Sequence, residues 1–125
     1  MKRFCVLVLF FFAGCLGLCG QTFDKDGNTL LEACTLDTRA EQHAPAPADA
    51  YQAGACMGFI MGIRNTLRYY ELKHQPSEAC IRDSVPNGQV EKVVMKFLND
   101  NPKDLDRPAF LLVLRALRQD FPCLQ

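Results

Sequence analysis

Between Ala53 and Ile63 the chain runs without a charged side chain, inside the segment DAYQAGACMGFIMGIRNTLRYY that spans Asp49 to Tyr70. Crossing a bilayer takes about 20 apolar residues, so this shorter run reads as a helix buried in a protein core. Asp49 offers an N-cap carboxylate, and Gln52 three residues later offers the reciprocal half of a capping box. The helix should then continue to about Glu71 or Lys73. Gly54, Gly58 and Gly62 recur every four residues and therefore share one helix face. Each costs a helix about 1 kcal/mol relative to alanine, which is understandable where another backbone packs closely. Two neighbours fit: a second helix of the same subunit, or the matching helix of a second copy in a homodimer.

The chain opens MKRFCVLVLFFFAGCLGLCG, with two basic residues ahead of an apolar run and then small residues. This is the layout of a secretory signal peptide over residues 1–20; a short membrane anchor is the competing use. Cleavage after Gly20 would leave a soluble periplasmic protein, residues 21–125, beginning at Gln21. Phe12-Ala13-Gly14-Cys15 also resembles a bacterial lipobox, and lipidation at Cys15 would tether the protein to a membrane. Soluble export is the preferred reading. Loss of Lys2 and Arg3 takes the chain from 14 basic and 14 acidic residues to 12 and 14, a formal charge of −2. Nothing in that balance suggests a nucleic-acid surface, which calls for a basic stripe. What remains is one modest domain, of a size that gains from cross-links.

Of seven cysteines, Cys5, Cys15 and Cys19 belong to the leader, leaving Cys34, Cys56, Cys80 and Cys123. An even number in a small exported domain argues for disulfides. Zinc is the competing use, but the gaps of 22, 24 and 43 residues contain no CxxC.

Three further helices are expected. Thr29-Leu30-Leu31-Glu32 reads as a capping box opening a short helix that ends near Leu36. Asp37 to Ala50, with Ala44-Pro45-Ala46-Pro47, reads as an irregular connection. Val90, Val93, Val94, Phe97 and Leu98 form one apolar stripe over Gln89–Asn99, with Glu91, Lys92 and Lys96 on the other side. Pro102 stops that helix. Asp106 is the expected cap of the last helix, whose stripe is Phe110, Val113, Leu114, Leu117 and Phe121. No strand and no repeat is visible. The architecture is an all-α domain of four to five helices. Cys34 and Cys56 flank one connection. A short turn between the last two helices brings Cys123 back beside Cys80. The expected staples are therefore Cys34–Cys56 and Cys80–Cys123.

Catalytic equipment is missing from this pattern. His43 and His74 lie in separate loops, the cysteines are committed, and no glycine-rich phosphate loop exists, because the glycines fall within a helix. The chain reads as a binding protein and not an enzyme, with no cofactor, no metal and no small-molecule substrate implied. Binding residues concentrate on loops. The turn Asn99–Arg107 sets Asp100, Asp104 and Asp106 against Lys103 and Arg107, an acidic turn held between two helices; its bland counterpart is a solvated connection.

Cys56-Met57-Gly58-Phe59-Ile60-Met61-Gly62 resembles the C-x-G-[YF]-I-x-G signature of the Rap/Tai immunity proteins, periplasmic antidotes to type VI secretion amidase effectors. The resemblance continues through Leu30-Leu31, Cys34, Cys80, Gly88-Gln89, Val93-Val94, Phe97-Leu98, Asn101-Pro102, Pro108-Ala109, Ala116-Leu117 and Phe121-Pro122-Cys123. Asn65 stands where Asp is usual, Arg82 where Pro is common, Phe59 for a frequent Tyr, and Asn101 and Asp106 where His often occurs. The resemblance implies a small helical protein, commonly dimeric, that binds a cysteine peptidase-like peptidoglycan amidase and blocks its active-site cleft without catalysing a reaction. On that basis Asp100, Asn101, Lys103, Asp104 and Asp106 are the expected partner contacts, and the loop Lys73 to Asn87 is the second candidate surface. Gly54, Gly58 and Gly62 are the expected packing or dimer face. A family member that has lost its toxin, and a small periplasmic acid-stress chaperone, are the alternative readings.

Overall fold

The computed structural model describes residues 25–40 and 46–123, so the expected signal peptide, including Cys15 and the Gly20 junction, and His43 lie outside the described residues. Four α-helices follow in order: α1 (Gly27–Ala40), α2 (Pro47–Leu72), α3 (Asn87–Asp100) and α4 (Ala109–Asp120). A single 3-10 turn, Pro102–Asp104, joins α3 to α4. There is no strand among the described residues. The expected all-α class and both expected disulfides are present: Cys34–Cys56 with a Cα separation of 5.1 Å and Cys80–Cys123 with 4.9 Å.

Local chemistry explains each start and stop, and in places it differs from the expectation. The cap of α1 is Asp26, not Thr29: its Oδ1 accepts from the Thr29 N–H at 2.9 Å and the Thr29 hydroxyl at 2.7 Å. The two Thr29 hydrogen bonds, backbone first, hold the Asp26 carboxyl below its ordinary pKa. The cap lies three residues earlier than expected, and at its other end α1 runs on to Ala40, through part of the stretch expected to be irregular. Asp49 does not cap α2. That helix begins at Pro47, where the missing N–H is no loss, and Asp49 sits in its first turn, where a carboxylate favours the positive end of the dipole. The end of α2 is a Schellman motif. His74 N–H donates to Glu71 O at 2.9 Å and Gln75 N–H to Tyr70 O at 3.0 Å, with His74 at φ 53°. Nor does Asp106 cap α4, which starts after Pro108.

The core gathers Leu30 from α1, Ile60 from α2, Val90, Val94 and Leu98 from α3, and Leu112, Val113 and Leu117 from α4, all fully buried. Of the expected α3 stripe, Val90, Val94, Phe97 and Leu98 are buried, while Val93 is only half-buried. In α4 the buried face is rotated from the expected one: Ala109, Leu112 and Ala116 join Val113 and Leu117, while Phe110 stays 46% exposed. Glu91 is a second departure. Expected outward, it is buried at 6% exposure beside the Cys34–Cys56 bridge.

Candidate partner-binding surfaces

Asn99 to Arg107 leaves α3 through Asn101, whose amide donates back to Phe97 O at 2.8 Å and caps the helix. The 3-10 turn then closes with Asp104 N–H on Asn101 O and Arg107 N–H on Asp104 O, each at 3.0 Å. Three contacts bind this turn to the start of α1. Leu105 O accepts from the backbone and side chain of Asn28, both at 3.1 Å, and Arg107 O accepts from Gly27 N–H at 3.1 Å. The approach is close enough that a Cβ on Gly27 would lie 2.4 Å from Leu112 Cδ1 and 3.1 Å from Leu105 Cα. Leu105 itself is buried. The turn is therefore a rigid protrusion braced by α1, α3 and α4.

Its charges are largely internal. Asp104 accepts from Arg107 Nε at 3.1 Å and from Arg115 Nη1 at 3.0 Å, and it is half-buried. Asp100 pairs with Lys96 one helical turn earlier. That hydrogen bond, with the Asp100 charge second, raises the Lys96 pKa. Among the described residues Lys103 and Asp106 make no ion pair, and both are exposed. The five expected contact residues thus come together in one turn, but in two roles. Asn101 and Asp104 hold the shape, while Lys103 and Asp106 present an ammonium and a carboxylate outward. A cleft of about 230 Å³ beside the turn, lined by Lys96, Asp100, Asn101 and Gln119, adds polar surface.

The loop Lys73 to Asn87 is equally fixed. Arg64 spans it, donating to Asn87 Oδ1 at 2.6 Å and to Val85 O at 2.9 Å. Arg68 bridges Glu71 at 3.0 Å and Asp83 at 2.8 Å. Cys80 N–H donates to Phe121 O at 2.9 Å next to the Cys80–Cys123 bridge. The role of Arg64 and Arg68 as struts depends on a loop that returns to α2, which no local pattern in the sequence announces.

Gly54, Gly58 and Gly62 line an open face: a Cβ at any of the three would have nothing within 4 Å. Close backbone packing on this face is thus not made among the described residues. Instead Gly58, Gly62, Phe59, Ile63, Tyr70 and Phe110 border an apolar groove of about 760 Å³ between α2 and α4. Tyr69, Leu72 and Leu111 are further exposed apolar side chains on the same two helices, at 56%, 63% and 42% exposure.

A braced polar turn, an apolar groove and two disulfides characterise a small helical domain. A family model described as Rap1a immunity proteins matches residues 26–123. The chain belongs to the Rap1a immunity protein family. It is accordingly a non-enzymatic immunity protein with a cognate type VI secretion effector as its toxin partner. No curated protein and no solved structure matches it. Family membership and the disulfides fit an exported protein.

Proposed function

We propose that this protein acts in the periplasm, where it binds a peptidoglycan amidase effector of the cysteine peptidase-like kind and occludes its active-site cleft. The Asn99–Arg107 turn is the inserting element. The observation that carries this reading is the turn's construction. It is pinned to three helices, so little entropy is lost on docking, while Lys103 and Asp106 are exposed and make no ion pair among the described residues. Opposed charges at a rigid tip provide electrostatic complementarity to a polar cleft, which speeds capture and selects among partners. The loop Lys73 to Asn87 forms the flanking contact.

The open glycine face supports a homodimer along α2, with groove residues Phe59, Ile63 and Phe110 buried by the second copy. Export uses residues 1–20 as a cleaved signal peptide, with Cys15 removed and not lipidated. The test is co-expression in the periplasm with the amidase encoded beside this gene, scoring lysis and co-purification. Rescue with a stable complex, lost on reversing Asp106 to Lys while the fold persists, is the expected result. Continued lysis with both proteins folded and exported would exclude that pairing and leave an orphan member or a client-protecting chaperone. The intact mass of the periplasmic protein distinguishes a chain beginning at Gln21 from one lipidated at Cys15.

A further inference from the structure

Along the chain, Asn99 to Arg107 is an acidic turn; once folded, its exposed charge is mainly cationic. Asp104 is the cause. Its carboxylate lies between two guanidinium groups, with Oδ1 3.1 Å from Arg107 Nε and Oδ2 3.0 Å from Arg115 Nη1. The Asp104 side chain is only 23% exposed, against 57% for Arg107 and 42% for Arg115. Asp100 is likewise engaged, by Lys96. The exposed charges left around the turn are Lys103, Arg107 and Arg115 against Asp106. One carboxylate does not balance two guanidinium groups. Among the described residues, both Nη nitrogens of Arg107 and Nη2 of Arg115 have no hydrogen-bond acceptor. Arg115 is nevertheless fixed, because its guanidinium carbon also lies 5.8 Å from the centre of the buried Phe97 ring. Held by Phe97 and Asp104, it loses little side-chain freedom on meeting a partner.

We propose, on the reading that this turn is the inserting element, that Arg107 and Arg115 together receive a carboxylate side chain of the protein partner. A guanidinium offers paired N–H donors at the spacing of the two carboxylate oxygens, which makes arginine the side chain suited to this contact. A second carboxylate, supplied by the partner, completes the charge balance that Asp104 leaves unfinished. Asp104 is the positioning residue, because it holds the two forks beside one another. Asp106 carries the opposite sign and would repel a uniformly acidic surface. The complementary patch is therefore of mixed sign, acidic opposite the arginine pair and not acidic opposite Asp106, which fixes the register of docking and rejects partners with another pattern. The same carboxylate argues against a nucleic-acid occupant, which would call for an uninterrupted basic stripe.

The first probe is tetraglutamate, added to the isotopically labelled protein and followed by NMR. The Nε–Hε resonances of Arg107 and Arg115 should move, the shifts should fade as salt is raised to about 0.5 M, and neutral tetraglutamine should leave them in place. Arg64, whose guanidinium is already engaged by Asn87 and Val85, is the internal control. The second probe is the amidase encoded beside this gene. Where it binds, Arg107→Gln and Arg115→Gln should each weaken the complex about 10- to 100-fold, the range of a hydrogen bond to a charged group, and should flatten the dependence of affinity on salt. A role in shape alone would weaken binding and leave that dependence as it was. Equal shifts with tetraglutamate and tetraglutamine, or unchanged affinity and salt dependence in the folded variants, would overturn the proposal. An amidase that does not bind refutes the pairing itself, and the tetraglutamate titration then still decides whether the arginine pair takes a carboxylate.

Discussion

Substituting Gly58 by alanine should raise the stability of the monomer and weaken the proposed dimer, and the two signs are separable. Among the described residues nothing lies within 4 Å of a Cβ built at Gly58, so the methyl group meets no obstacle there. Helix propensity alone then favours alanine by about 0.8–1 kcal/mol, since Gly58 lies well inside α2. For a domain of this size that gain raises the Tm by about 4 °C or more. If a second copy lays its own backbone along this face, the methyl groups hold the helices apart. Overpacking of about 1–3 kcal/mol would raise the dimer Kd roughly 5- to 150-fold. Sedimentation velocity over a dilution series reads the dimer, and urea unfolding at the dilute end reads the monomer. A less stable monomer would refute the open face. An unchanged Kd for Gly58→Ala and for Gly58→Ala with Gly62→Ala would place the dimer seam elsewhere.

Other perturbations test other joints of the structure. Replacing Cys80 and Cys123 by serine opens a loop of sequence separation 43 and should cost about 4 kcal/mol in the chain-entropy model, read by urea unfolding; that is a large share of the roughly 5–15 kcal/mol typical of a domain. Gly27→Ala forces a methyl group against Leu112 and the Leu105 backbone, so a loss of about 1–3 kcal/mol is expected, together with weaker partner binding because the Asn99–Arg107 turn shifts. The Asp26 cap acts through a lowered carboxyl pKa, so its stabilisation is present above the unfolded-state value and is lost as pH falls through the folded one. Asp26→Asn should therefore flatten the acid limb of a stability–pH profile below about pH 4, and an unaltered limb would count against the cap. Asp104→Ala unpairs Arg107 and Arg115 at once and should reduce partner affinity more than Asp100→Ala, whose pair with Lys96 is exposed; calorimetry with the cognate effector compares them.

The helices were legible wherever one side of a periodic stripe had to be apolar. Val90, Val94, Phe97 and Leu98 are buried as their spacing requires. Boundaries were less legible, because caps compete locally. Asp26 and Thr29 were both able to open α1, and the choice fell to the residue whose carboxylate reaches the Thr29 N–H. In α4, Phe110 and Leu112 offer alternative edges of one apolar arc, and only the position of α1 against Leu112 decides which turns inward. The candidate turn was visible as a charged stretch between helices. Which of its charges are consumed internally was not, since Arg115 lies eleven positions beyond Asp104 and meets it only after α4 folds back.

By itself the sequence determined the helical class, the cysteine pairing and the absence of a catalytic motif. These follow from the period of the apolar residues, the place of each cysteine in the order of helices and turns, and the residue inventory, all of which are read along the chain. Tertiary structure alone decided that the glycine face meets no packing neighbour among the described residues, that Arg64 and Arg68 strap the Lys73–Asn87 loop, and that Glu91 lies beside two cysteines in the core. Each depends on which distant segment arrives at a given side chain. Periodicity says that a helix has a face to bury, but not which neighbour will bury it.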